Sequence, residues 1–195
     1  MTTPRVILGS ASEQRKILFS CLNVPFEIIA ADIDEHAIRD LDPRAQAEKI
    51  ARAKAEHVAR REQGIVIAAD TFCMLGDKAL EKPRDRTEAI RMLTAFSGNT
   101  AMAYTGFCYL DAEHGIDESC AIDTSFTFRH VALQEIMAYV DAFPVTTWSG
   151  AFSPAYPYGM TLVASIRGSF TGFTHGLPME VLTPLLARSG IAVKP

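Results

Sequence analysis

Ser10-Ala-Ser-Glu-Gln-Arg-Lys16 is the first stretch whose side chains suit chemistry rather than a core. A helix start leaves backbone N–H groups unpaired and gathers roughly half a positive charge, so it favours an anionic oxygen. The hydroxyls of Ser10 and Ser12 add donors there, and Arg15 and Lys16 add full charges. Cations in a first turn work against the helix dipole, which invites a functional explanation, phosphate capture above all. The same segment also fits an ordinary cap with solvated cations.

Carboxylates form the second candidate group. Asp32-Ile-Asp-Glu35 ends the strand read over Phe26–Ala31, and Asp70 directly follows Ile65-Val-Ile-Ala-Ala69. Acids at two strand ends can share Mg²⁺ with water and substrate phosphates, although the run at 32–35 alone also fits a solvated turn. Asp70 must be either exposed or paired, because burying a lone charge is very costly. Lys82 precedes Pro83, whose ring restricts the backbone before it and so aims the ammonium. Lys54, beside Ala53 and Ala55, can reach past small neighbours. Either lysine taken singly is an ordinary surface residue. Tyr104-Thr105-Gly106 offers a hydroxyl next to a flexible backbone point. His36, His57, His114, His130 and His175 show no metal-ligand spacing, and Cys21, Cys73, Cys108 and Cys120 lack a Cys-x-x-Cys pair, so they read as free thiols.

The elements that must position these groups follow from periodicity and punctuation. A strand over 5–9 leads into a helix opening near a Ser10/Glu13 capping box, with Ser12 as the alternative cap. A strand at 26–31, an Ala-rich helix over 43–61 and a buried strand at 65–69 come next, the last placing Asp70 at its C-terminal end. Gly76-Asp77 turns the chain back through 79–83, and Asp85 with Glu88 caps a helix that runs to Phe96. Two antiparallel strands, 101–110 and 121–131, flank His114-Gly115, and a helix over 133–143 stops at Pro144. The aperiodic segment 145–158 reads as a loop over a site, followed by a strand at 160–166, a glycine-rich connection at 168–176 and a helix over 178–186. The pattern predicts an α/β fold in one domain over 1–195: a mixed twisted sheet with flanking helices, in two lobes around a cleft.

Composition narrows the function. At 195 residues, 48% hydrophobic and 22% charged, the chain is globular and large enough to bury a core without staples. A net charge of −4 with no basic stripe argues against nucleic acid as partner. No apolar stretch approaches a membrane span or a signal peptide, so the expectation is a cytoplasmic protein without a membrane partner.

Taken in order, Ser10-Ala-Ser, Arg15, Asp32-Ile-Asp-Glu35, Lys54-Ala55, Ala69-Asp-Thr71, Glu81-Lys-Pro83, Tyr104-Thr-Gly106, Arg167-Gly-Ser169 and Gly176-Leu-Pro178 resemble the Maf family of septum-formation-inhibitor-like proteins across almost the whole chain. The resemblance implies a Maf and inosine-triphosphatase-like fold, commonly homodimeric. It also implies a nucleoside triphosphate pyrophosphatase dependent on Mg²⁺ or Mn²⁺, releasing the monophosphate and pyrophosphate and cleansing the nucleotide pool. Ser10, Ser12, Arg15, Lys54 and Lys82 then match triphosphate-binding positions, with Thr71 and Thr105 as flanking polar positions. Glu35 and Asp70 match the acidic positions tied to the metal and to activating water, with Asp70 as the base. Gln14 replaces the first of two adjacent arginines, and Ala155 replaces a Gln or Glu in Ser149-Gly-Ala-Phe-Ser-Pro-Ala155. These departures motivate a second reading, a weakly active relative that binds nucleotide or a protein partner in division or stress control.

Overall fold

The apolar triplet Val6–Leu8 forms β1, buried throughout, and the computed structural model, which describes residues 4–193, builds a seven-stranded sheet outward from it. Along the chain, β1 is followed by α1 (Glu13–Ser20), β2 (Glu27–Ile28), α2 (Pro43–Ala59), β3 (Ile65–Leu75), β4 (Lys78–Leu80) and α3 (Arg86–Phe96). Then come β5 (Thr100–Asp111), β6 (Ile116–Phe128), α4 (Leu133–Ala142), α5 (Pro157–Thr161), β7 (Val163–Arg167), α6 (Phe170–His175) and α7 (Met179–Arg188). The order across the sheet is β2-β1-β3-β5-β6-β7, with β4 paired to β3. β1 runs parallel to β2 and β3, and the remaining pairs are antiparallel, so the sheet is mixed. Among the described residues no helix is long and apolar enough to cross a membrane.

Local signals account for most of these elements. Pro43 opens α2 while Asp42 Oδ1 accepts from Arg44 N at 2.9 Å, and Asp85 caps α3 through Glu88 N at 2.8 Å. Expectations for four segments are corrected. β3 does not end at Ala69: β5 pairs with it continuously from Val66↔Leu110 to Met74↔Met102, which puts Asp70 in mid-strand opposite Gly106. The stretch 168–176 contains a helix, because Ser169 Oγ accepts from Gly172 N at 2.9 Å and Gly176 takes the left-handed conformation (φ 67°) that ends it. The segment 145–158 is not a free loop, since Val145, Trp148, Ala151 and Phe152 are buried and lock two short 3-10 turns into the core. Met160 and Thr161, expected to begin the strand at 160–166, end α5 instead, and β7 starts at Val163.

Burial divides the long strands into two ends. At one end Ile65, Ile67 and Ala69 of β3 and Phe107 and Tyr109 of β5 pack under α1 and α7, while Val66, Ala68 and Cys108 pack on the other face under α2. At the far end Cys73, Ala101 and Ala103 join Phe96, Phe126, Phe128 and Phe152 in a second, aromatic core. Between the two lie residues 70–72 of β3, all only partly buried. That waist is where the two packed lobes leave the sheet open.

Gly106 sets how close α2 comes to the waist. A Cβ there would lie 1.9 Å from the Ala47 carbonyl oxygen, so only glycine permits the contact. Gly106→Ala is expected to push α2 off the sheet and lower stability by about 1–3 kcal/mol or more, measurable by urea unfolding.

A buried polar cluster fastens α7 to the turn after β5. Tyr109 donates to Ser189 Oγ at 2.7 Å, Ser189 donates to Asp111 Oδ2 at 2.5 Å, and His114 Nδ1 lies 2.8 Å from the same oxygen. Burial pushes the Asp111 carboxyl up, but the bonds from Ser189 and His114 outweigh it and hold it below the usual carboxylate range. A depressed folded-state value adds stability above the unfolded value near pH 4, and that stability is lost as pH falls through the folded value. Asp111→Asn is therefore expected to cost about 1–3 kcal/mol at pH 7. In thermal unfolding across pH, its deficit relative to the wild-type protein should shrink below about pH 4.

Candidate functional site

Lys54 sits on the buried face of α2 with Ala47, Ile50, Ala51, Ala55 and Val58, and only 9% of its side chain is exposed. Its ammonium donates to Asp70 Oδ1 at 2.8 Å and meets Glu35 Oε2 at 2.9 Å. Asp34 Oδ1 accepts from His36 N at 3.0 Å and so starts the short 3-10 turn Glu35–Ala37 that presents Glu35. Glu35, from the acid run beyond β2, and the mid-strand Asp70 thus converge on one cation. Asp70 is not buried alone, as the cost of an unpaired charge demanded.

On the other face of β3, Arg15 from the first turn of α1 is buried, with 8% exposure. Its guanidinium donates to Gly176 O at 2.9 Å, Ser10 Oγ at 2.9 Å and Thr71 Oγ1 at 3.3 Å. These partners are all neutral, so the positive charge is held in place without being cancelled by a bonded carboxylate. Burial lowers the proton affinity of Arg15, and the fields of Asp70 and Glu35 oppose that shift. Thr71 Oγ1 is in turn 3.2 Å from Thr105 Oγ1, its cross-strand partner, which donates to Gly172 O at 3.0 Å.

The structure brings Ser10, Arg15, Glu35, Lys54, Asp70, Thr71 and Thr105 to one waist of the sheet. Ser12 adjoins them as the N-cap of α1, but its side chain caps nothing and donates to Gln14 Oε1 at 3.2 Å. The Ser10/Glu13 capping box does not form, because Ser10 Oγ serves Arg15 and Ser12 N instead. Lys82 stands apart: it is exposed and lines a cavity of about 350 Å³ with Lys78, Arg84, Glu88 and Arg91 on the β4–α3 side. Among the described residues no hydrogen bond or ion pair joins it to Asp70 or Glu35, though the adjacent Glu81 is tied to Arg39 at 3.9 Å, just beyond the Glu35 turn. Ala155 lies in the turn before α5.

Two acceptors escaped the sequence reading, the carbonyls of Gly172 and Gly176. They come from α6, a helix too short for a hydrophobic period; the cap residue Ser169 and the closing Gly176 were its available signals. Gly176 also leaves space, since a Cβ there would meet Thr71 Oγ1 at 2.8 Å and Arg15 Nε at 3.1 Å.

Chemically, the waist can grip an anion through Arg15 and Lys54 and can orient a water with a carboxylate. Among the described residues no cluster of three or more His, Cys, Asp or Glu gathers to hold a metal by itself. Two carboxylates turned to one point still fit Mg²⁺ or Mn²⁺, which take their remaining ligands from water and substrate phosphates.

A family profile described as Maf-like protein matches residues 5–189. The chain belongs to the Maf family. Among its curated Maf relatives, a dTTP/UTP pyrophosphatase of Myxococcus xanthus (strain DK1622) is 38% identical over 187 residues, covering 95% of this chain and 93% of that protein. A second dTTP/UTP pyrophosphatase, from Moorella thermoacetica, is 36% identical over 190 residues and 97% of each chain. A 7-methyl-GTP pyrophosphatase of Cupriavidus metallidurans is 32% identical over 190 residues, covering 97% of this chain and 95% of its own. Among solved structures, a HAM1 protein from Coxiella burnetii superposes with a TM-score of 0.52 at 14% identity, over 94% of this chain and 98% of that one, and shares the fold. The mixed α/β architecture and the family expected from the motif order are both confirmed.

Proposed function

We propose that this Maf protein hydrolyses a nucleoside triphosphate to the monophosphate and pyrophosphate. The observation that carries the reading is Lys54 drawing Glu35 and Asp70 to one point beside a buried Arg15 that, among the described residues, hydrogen-bonds only neutral groups. The pyrophosphatase names of the Maf relatives support the same reaction.

In this mechanism Arg15, Ser10 and the first-turn N–H groups of α1 bind phosphoryl oxygens. Lys54 sets the positions of the two acids. Asp70 accepts the proton of a water that attacks the α-phosphorus as the bond to the pyrophosphate oxygen breaks, and Thr71 and Thr105 hold Arg15 and the strand pair in register. Glu35 and Asp70 are the residues that would hold a divalent cation, whose chemistry would be to neutralise charge on the phosphoryl oxygens. Lys82 is assigned to the outer phosphates on the strength of the family motif alone. The same resemblance supports a homodimer that acts in the cytoplasm on free, including modified, nucleotides.

Purified protein given dTTP, UTP and 7-methyl-GTP with Mg²⁺ or Mn²⁺ is expected to release pyrophosphate, not orthophosphate. Nucleotide binding by calorimetry without turnover would favour the regulatory reading that Gln14 and Ala155 motivate. Neither binding nor turnover would sink both.

A further inference from the structure

Phe72 and Tyr104 are the largest side chains at the waist that neither lobe absorbs. They face each other across β3 and β5, with ring centroids 5.8 Å apart and planes tilted by 36°. Both are only partly buried, and neither belongs to any of the hydrophobic clusters or packs against one. Successive side chains of a strand alternate between faces, and the β3–β5 register is continuous, so Phe72 shares a face with Asp70, two residues before it, and Tyr104 shares that face with Gly106. This is the face α2 covers at Gly106. α2 begins at Pro43, and its first turn is anchored by Arg44 on Asp123, the β6 partner of Tyr104. Beyond that anchor Phe72, Tyr104, Met74 and Met102 are left partly open on the same sheet face.

An aromatic pair without a core, next to an acid placed for α-phosphoryl chemistry, has an obvious complement. We infer that Phe72 and Tyr104 form the stacking platform for the nucleobase of the substrate, an inference that rests on the proposed reaction at Asp70. Two residues along a strand span roughly 6.8 Å, the scale of a ribose between an α-phosphorus near Asp70 and a base over the rings. Aromatic faces accept any base, because every base presents a π surface, and stacking adds binding without hydrogen-bond readout. The platform holds the nucleoside end in place while Arg15 and Ser10 grip the phosphates.

The test compares ligands with and without a base. In the wild-type protein, thermal shift and competitive inhibition are measured for inorganic tripolyphosphate, and KM and kcat for whichever of dTTP, UTP and 7-methyl-GTP is turned over fastest. Phe72→Ala and Tyr104→Ala are expected to raise KM by about tenfold or more while tripolyphosphate inhibition stays within about twofold. Phe72→Leu, which keeps apolar bulk, should weaken nucleotide binding too, and Phe72→Tyr should restore it. Unchanged KM in Phe72→Ala and Phe72→Leu, or an equal weakening of tripolyphosphate, would overturn the platform. Absence of turnover by the wild-type protein would instead overturn the reaction, and nucleotide thermal shifts in the same variants would still decide the platform.

Discussion

Asp70→Asn is expected to lower turnover of a nucleoside triphosphate by about 10²–10⁴-fold, the usual contribution of a positioned general base, while leaving nucleotide affinity nearly unchanged. The substitution is close to isosteric, and its amide oxygen can still accept the hydrogen bond that Lys54 Nζ now makes at 2.8 Å. Asp70 is also fixed by its backbone, since its strand is paired with β5 on both sides of the position. The fold therefore has little reason to change, and a loss confined to kcat assigns the effect to proton transfer. Wild-type turnover in Asp70→Asn would remove Asp70 from the chemistry.

Lys54→Met should have the second large effect, on both stability and rate. The methionine keeps the apolar stem packed in the buried face of α2 but strips Asp70, 13% exposed, of its ion-pair partner. Removing one member of a largely buried pair leaves an uncompensated charge and costs about 3 kcal/mol or more, whereas removing both is often close to neutral. Lys54→Met combined with Asp70→Asn should accordingly be more stable than Lys54→Met alone, a non-additivity that urea unfolding reads directly. Turnover in the single variant is expected to fall by one to two decades through loss of a charge-assisted contact. A fully additive double variant would show that the bridge contributes nothing to the folded state.

The sequence made parts of this site readable for identifiable reasons. The buried run at 65–69, the small-residue face of α2 and the Asp85 cap are local patterns, and each forms an element where the pattern lies. Arg15 was recognisable because a cation in a first turn opposes the helix dipole. The pairing of Lys54 with Glu35 and Asp70 was not written in any window, because it depends on α2 crossing the sheet at Gly106, a contact between distant segments. The same applies to the true length of β3, which its partner β5 sets after the apolar run has ended. α6 was hidden by its brevity, and with it the carbonyls that hold Arg15 and Thr105. Lys82 shows the converse: a motif position that its sequence context singles out, on a segment whose contacts lead to another cavity.

Hydrolysis in ¹⁸O-labelled water tests the central claim most directly. Attack at the α-phosphorus, guided by Asp70 and Glu35, places the label in the nucleoside monophosphate and leaves the pyrophosphate unlabelled. Label in pyrophosphate, or in orthophosphate released beside a nucleoside diphosphate, would contradict it.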